Sequence, residues 1–271
     1  MPELPEVETT VRGLRPVLVG QRLAKVEPRR ADLRRAIPVD LRQRLTGATV
    51  TGLARRAKYG LIDTDRGDTL VFHLGMSGRW RVDPAEELAH DHLVIETAAG
   101  RRLALNDPRR FGSLDLVRTA ELATYPPFAA LGPEPLGPQF SGAVLAAAFA
   151  DRIAPAKALL LDQRVVAGLG NIYVCEALHL AGIAPARAGG RIARARLDRL
   201  ASAVPAVLEE AIAAGGSTLR DFAAPDGELG YFSKQFRVYG REGEPCLACA
   251  APIRRRTESG RSTFWCPICQ R

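Results

Sequence analysis

Hydrophobic spacing divides the chain into a strand-rich first half and a helical second half. Leu4, Val7, Val11 and Leu14 recur at helical intervals, so an amphipathic helix opens the chain. Pro5 suits the first helical position, where a missing N–H costs nothing, and Glu6 and Glu8 suit the positive end of the helix dipole. Short apolar runs follow: Leu70-Val-Phe-His-Leu74, His92-Leu-Val-Ile-Glu96 and Ser113-Leu-Asp-Leu-Val117. Glycines and Asp/Pro turns punctuate them, the pattern of a β-sandwich or barrel.

A Pro/Gly-rich stretch, Gly132–Pro138, ends this pattern and marks the best domain boundary. Beyond it, Ala143–Ala150 and Arg191–Ala214 are rich in alanine and leucine at helical spacing, and Pro205 must kink or bound the second of them. Gly215–Tyr231 carries Gly, Asp and Pro and reads as a long loop, a feature usually functional or disordered. The expected organisation is residues 1–131 as a β-sandwich domain, 132–138 as linker, 139–238 as a helical domain and 239–271 as a zinc finger.

Cysteine spacing defines that last segment. Cys246-Leu-Ala-Cys249 and Cys266-Pro-Ile-Cys269 are two C-x₂-C knuckles, each offering two thiolates to one tetrahedral zinc ion. One structural Zn²⁺ would add folding energy to a segment too short to bury its own core. Disulfides are the competing use, but Met1-Pro-Glu-Leu4 has neither the basic nor the apolar region of a secretory signal. No stretch approaches the roughly 20 apolar residues that span a bilayer. Cys175 stands apart and reads as a buried, inert thiol. Between the knuckles lie Arg254, Arg255, Arg256 and Arg261, within a chain of net charge +8 whose basic residues are mostly arginine. Guanidinium groups match phosphate geometry, so a cytoplasmic, nucleic-acid-facing protein is expected.

The amino terminus has chemistry of its own. Methionine before proline is normally removed, which leaves Pro2 with a free secondary amine of pKa about 8. Such an amine can form an iminium with an aldehyde-like carbon, and Glu3 and Glu6 are placed to orient it and move protons. On these residues alone, a frayed helix start remains the simpler reading.

The ordered set of motifs along the whole chain changes that balance. Met1-Pro-Glu-Leu-Pro-Glu-Val-Glu8, Arg56-Ala-Lys-Tyr59, His73-Leu-Gly-Met-Ser-Gly78 and Asn106-Asp-Pro-Arg-Arg-Phe-Gly112 are followed by Leu161-Asp-Gln163 and Gly168-Leu-Gly-Asn-Ile-Tyr173. Gly216-Ser-Thr-Leu-Arg-Asp-Phe222, Val238-Tyr-Gly-Arg-Glu-Gly-Glu-Pro-Cys246 and the knuckles complete it. In this order and over essentially the full length, the chain resembles the bacterial formamidopyrimidine-DNA glycosylases. The resemblance implies an α+β protein: a β-sandwich with an N-terminal helix, then a helix–two-turns–helix domain ending in a Cys₄ zinc-finger β-hairpin.

It also implies a bifunctional glycosylase and AP lyase that excises oxidised purines from double-stranded DNA through an N-terminal proline Schiff base and β,δ-elimination. Carried over, Pro2 is the nucleophile, Glu3 the acid assisting sugar ring opening, and Glu6 a supporting carboxylate. Lys58 matches the lysine of β-elimination and phosphate contact, and Arg261 the arginine of δ-elimination. Extruding a nucleotide costs a few kcal/mol and leaves a gap to fill. Met76, Arg109 and Phe111 match the residues that wedge into the duplex and face the orphaned base, although side-chain type alone would put Met76 and Phe111 in the core. Asn171, His90, Arg152, Lys157 and Tyr239 align with DNA-contacting positions, Asn171 at a helix start suited to anions. The loop Ser217–Tyr231 corresponds to the segment covering the flipped purine.

The resemblance further implies a monomer acting in the cytoplasm, on the nucleoid when bound to DNA. Departures are few: Ala250 stands where glycine often follows the second zinc cysteine, Arg152 where lysine is frequent, and Ala156 and Ala158 where bulkier residues flank Lys157. Two other readings share parts of the pattern. An endonuclease VIII-like enzyme for oxidised pyrimidines shares the architecture, and a zinc-ribbon protein that binds damage without cleaving shares the hairpin. The loop and Phe111 favour purines over pyrimidines; Pro2, Glu3 and Lys58 favour chemistry over binding alone.

Overall fold

The computed structural model describes residues 2–218, 222–258 and 260–271. The chain forms two compact units, one running to Ala129 and including Ile212–Tyr231, the other comprising Ala130–Ala211 and Phe232–Arg271.

The first unit opens with α1 (Leu4–Leu18), whose apolar stripe Leu4, Val7, Val11, Leu14 and Leu18 is fully buried. The strands are β1 (Leu23–Pro28), β2 (Val50–Arg56), β3 (Tyr59–Thr64), β4 (Asp68–His73), β5 (Arg79–Val82), β6 (Asp91–Thr97), β7 (Arg102–Asn106) and β8 (Ser113–Arg118). A short α2 (Leu41–Leu45) links β1 to β2, and α3 (Pro126–Ala129) ends this part of the chain. The strands make two antiparallel four-stranded sheets, ordered β1-β6-β7-β5 and β2-β3-β4-β8. Residues from both sheets, among them Val26, Trp80, Leu93 and Leu105 from one and Leu53, Ile62 and Phe72 from the other, join α1 in one core. Burying each such side chain is worth roughly 1.5–3 kcal/mol, and the Phe72–Trp80 pair adds an edge-to-face contact at 5.6 Å. The sandwich and the three runs read as strands in the sequence are present.

Topology then places the connections. β4 pairs with β8 and β5 with β7, so the β4–β5 and β7–β8 connections, both crossing between the sheets, lie side by side. The register of β3 on β4 sets Tyr59 opposite His73, which brings the β2–β3 turn carrying Lys58 to the root of the β4–β5 connection.

The second unit contains α4 (Gly142–Phe149), α5 (Ala156–Leu161), α6 (Asn171–Leu180) and α7 (Arg194–Ala213), then the hairpin of β9 (Arg254–Glu258) and β10 (Arg261–Trp265). Ser141 caps α4, its Oγ accepting the Val144 N–H at 3.3 Å. Helix α7 runs through Pro205 instead of ending there. The one hydrogen bond the proline removes is offset by the burial of Val204, Val207 and Leu208 around it.

Three segments sit differently from the sequence-based division. Gly132–Pro138 is pinned within the second unit rather than spanning open space: Gly132 N–H donates to Gln163 O (2.8 Å) and Ala167 N–H to Pro133 O (3.1 Å). The hairpin does not form a separate body, because Ile253, Phe264, Cys246 and Cys266 share a buried cluster with Cys175 and Val238. Residues 212–231 leave the helical part and join the first unit, held by hydrogen bonds to Glu6 and Val82. Among the described residues, no helix is long and apolar enough to cross a membrane.

Candidate active site and nucleic-acid interface

The start of α1 buries two carboxylates beneath a buried Pro2: Glu3 and Glu6 are each 2% exposed. Buried carboxylates need donors, and the helix terminus supplies them. Glu3 N–H donates to Glu6 Oε2 at 2.8 Å, and Ser217 N–H to Glu6 Oε1 at 2.8 Å. Glu6 thus fixes the backbone at Glu3 and anchors the base of the 212–231 segment. Met1 lies outside the described residues.

Lys58 is 9% exposed and follows Ala57, whose φ of 51° turns the chain from β2 into β3. Arg55 braces this turn from α1, its Nε donating to Glu8 Oε2 (3.0 Å) and its Nη1 to Ala57 O (3.0 Å). His73 stands close by, its ring 4.8 Å from that of Tyr59 and its Nδ1 accepting the Gly75 N–H at 3.0 Å. Burial first, then the positive charges of Lys58, Arg34 and Arg35, push its pKa down to about 4.

Met76 lies in the β4–β5 connection, and Arg109 and Phe111 lie in the β7–β8 connection. Met76 is 37% and Phe111 43% exposed, so side-chain type misjudges both as core. The Arg109 guanidinium lies 4.9 Å from the centre of the Phe111 ring. A buried brace joins the two connections: Ser77 Oγ donates to Asp107 Oδ1 (2.7 Å), Arg109 N–H to Ser77 Oγ (3.2 Å) and Gly112 N–H to Asp107 Oδ2 (2.8 Å). Gly75, at φ 62°, lets them touch, since a Cβ there would stand 2.3 Å from the Phe111 carbonyl carbon. His90 is exposed just ahead of β6, beside a cleft bordered by Arg29 and Arg30.

In the second unit, two side chains converge on the hairpin. Asn171, the first residue of α6, donates through Nδ2 to Ser262 O (2.9 Å) and lies 3.4 Å from the Tyr239 hydroxyl. Lys157 is 4% exposed, and its Nζ donates to the same carbonyl (3.0 Å) and to Thr263 Oγ1 (2.7 Å). Burial lowers the Lys157 pKa. Lys157 therefore ties α5 to the hairpin, and Arg261, one residue from Ser262, is exposed. Arg152 is exposed in the α4–α5 connection. Ser259 lies outside the described residues, as do residues 219–221 of the Gly216–Phe222 motif.

Glu176 holds Tyr239 in place. It is fully buried on α6 and accepts the N–H groups of Arg237, Val238 and Tyr239 at 2.8, 3.0 and 2.8 Å. Burial raises its pKa while those amides pull the other way. Sequence reasoning missed Glu176, Ser77 and Asp107. A carboxylate inside the otherwise apolar run of α6 was the available signal for the first; Asp107 lay unremarked within a quoted motif.

The four sulfurs of Cys246, Cys249, Cys266 and Cys269 all lie within 4.8 Å of one another. A tetrahedral zinc with bonds of about 2.3 Å separates its sulfurs by roughly 3.8 Å. The Cys246–Cys269 and Cys249–Cys266 separations of 3.9 and 3.4 Å fit that ion. His179 Nε2 stands 3.5 Å from the Cys246 sulfur. Ala250, where glycine is frequent, has φ 60°, a left-handed strain of about 1–2 kcal/mol.

A β-sandwich with Pro2 beside two buried carboxylates, two exposed apolar side chains on neighbouring sheet connections and a four-cysteine arginine-bearing hairpin fits a class of zinc-containing DNA-processing enzymes. Within that class the chain belongs to the formamidopyrimidine-DNA glycosylase family. Residues 1–114 match the family model of its N-terminal domain, 131–223 that of its H2TH domain, and 243–271 that of the zinc finger found in FPG and IleRS. A formamidopyrimidine-DNA glycosylase of Rhizorhabdus wittichii is 72% identical over the full length of both chains. The crystal structure of MutM (Fpg) from Thermus thermophilus is 41% identical with a TM-score of 0.88, covering 99% of this chain and 98% of that one. Wild-type Lactococcus lactis Fpg in complex with DNA containing N7-benzyl-Fapy-dG is 35% identical, with a TM-score of 0.92 and full coverage of both. The four cysteines accordingly hold one structural zinc ion.

Proposed function

We propose that this DNA glycosylase and AP lyase of base excision repair removes oxidised purines from duplex DNA with Pro2 as nucleophile. The observation that carries the assignment is the buried Glu3–Glu6 pair at the helix start that presents Pro2. The Pro2 nitrogen lone pair forms a bond to sugar C1′ as the glycosidic bond breaks and the base leaves with its electron pair. Glu3 protonates the ring oxygen, the sugar opens and an iminium joins protein to DNA. Loss of a C2′ proton with departure of the 3′ phosphate follows, assisted by Lys58, and Arg261 serves the second elimination on the 5′ side. Glu6 acts by positioning, through the Glu3 amide it accepts.

Met76 and Phe111 fill the space the extruded nucleotide leaves, and Arg109 donates to the acceptor edge of the partner base. Their solvent exposure and the rigid Ser77–Asp107 brace support this role. Arg152, Asn171, Tyr239, His90 and the hairpin arginines meet phosphates, with Lys157 acting through the hairpin. Zinc crosslinks the two knuckles and so makes the hairpin a fixed platform. The Ser217–Tyr231 segment covers the flipped purine, which places oxidised pyrimidines second. The enzyme acts as a monomer in the cytoplasm, on the nucleoid.

Borohydride trapping on a duplex with 8-oxoguanine opposite cytosine tests the assignment, with mass mapping of the crosslinked peptide. An adduct on Pro2 is expected. No adduct from protein confirmed to lack Met1, or an adduct on another residue, overturns it.

A further inference from the structure

Strand β5 is an outer strand of its sheet, with neighbour β7 on one side only. Its Val82 N–H donates to Pro225 O at 2.8 Å. Proline has no N–H to return, so the contact satisfies one edge group without extending the sheet. A proline against an edge makes a dock that can be left.

The other side of Pro225 meets α1 at Gly13. A Cβ built on Gly13 would stand 2.9 Å from Pro225 Cδ and 3.0 Å from Cγ, but 3.5 Å from Cβ. The pyrrolidine ring therefore rests on bare helix backbone. Glycine in a helix interior is less favourable than alanine, and the docked proline gives that glycine a purpose. Gly13 follows Glu6 by seven residues, which puts both on one face of α1. Glu6 receives the Ser217 N–H at the base of the loop, and Gly13 receives Pro225 near its tip. Around Pro225 the segment closes a turn of its own: Ala224 N–H donates to Glu228 O (2.8 Å) and Gly227 N–H to Ala224 O (2.8 Å).

We infer that Gly13 and Pro225 are specificity-determining residues: together with Val82 they latch the 222–231 segment onto α1 and β5, and the latched form favours excision of an oxidised purine over cleavage at a site that has already lost its base. The inference rests on the proposed role of this segment in covering the flipped purine. An abasic sugar offers no base to cover, so its cleavage does not need the latch.

The test compares wild type, Gly13→Ala and the double variant Gly13→Ala/Pro225→Ala. The double variant removes the ring atoms that clash and leaves the Cβ at ordinary contact distance. Two readouts are taken on each zinc-loaded protein: hydrogen exchange of peptides covering 79–83 and 222–231, and rates on duplexes carrying 8-oxoguanine or an abasic site. Gly13→Ala is expected to speed exchange in both peptides about tenfold, the effect of losing one hydrogen bond. It should lower 8-oxoguanine excision relative to abasic cleavage by a similar factor, and the double variant should recover both. Unchanged exchange in Gly13→Ala refutes the latch. Faster exchange with an unchanged rate ratio leaves the latch and removes its role in specificity. Failure of wild type to excise 8-oxoguanine at all refutes the underlying reading instead.

Discussion

His73 accepts the Gly75 amide proton at Nδ1, so protonating its ring would break the bond at the root of the connection carrying Met76. Its pKa of about 4 in the folded chain, against 6.5 ordinarily, means the unfolded chain binds more protons between those values. Stability tied to this residue is complete above pH 6.5 and is lost as pH falls toward 4. At about 1.4 kcal/mol per unit, the loss is on the order of 2–3 kcal/mol. His73→Asn keeps an acceptor near the same place but cannot titrate. Urea unfolding of both proteins from pH 7 to 4 should show wild type losing that much more, with zinc and carboxylate effects cancelling in the difference. Parallel pH profiles would remove His73 as the cause. At this scale the sequence was legible where motifs spoke and misleading where residue type spoke alone. Met76 and Phe111 look like core by composition and face solvent, and only their place in an ordered set of strings said otherwise. The Ser77–Asp107 bond was hidden because it joins connections thirty positions apart in sequence.

Among the elements, the zinc hairpin combines strong local order with dependence on its neighbours. C-x₂-C spacing revealed the metal and the hairpin, because knuckle geometry is local. It did not reveal that Ile253 and Phe264 would pack with Cys175 and Val238, or that Lys157 and Asn171 would both bond Ser262 O. Those contacts depend on tertiary placement of α5 and α6. Stripping zinc with a strong chelator should therefore unfold 239–271 and loosen the start of α6 as well, since structural metal binding is folding energy. Hydrogen exchange would report fast amides there and unchanged protection in α1 and the sandwich strands, together with loss of DNA binding. Tight binding by metal-free protein would rule out the hairpin as the phosphate platform. Gly132–Pro138 and Gly215–Tyr231 teach the same lesson. Composition identified both as irregular, but which unit each packs against is decided by single bonds such as Gly132 N–H to Gln163 O and Val82 N–H to Pro225 O.

The count of 38 lysines and arginines overstates the positive charge available to DNA. Arg29 is held by Glu87, Arg81 by Asp91, Arg237 by Glu210 and Arg164 by Asp162. Arg152 and Arg261, at the expected DNA positions, are exposed, and on the proposed reading they displace counterions. Each phosphate so neutralised contributes about −0.9 to the slope of log K against log salt. Binding to an undamaged duplex isolates this electrostatic part, because no base needs to be excised. Measured from roughly 50 to 300 mM salt, Arg152→Ala should lower the magnitude of the slope by about 1. Arg164→Ala should leave it unchanged, since its guanidinium bonds Asp162 at 2.7 Å and a neutralised pair releases no counterion. Equal effects from the two variants would mean that affinity follows total charge and not placed contacts. A flat salt dependence in wild type would remove phosphate gripping altogether.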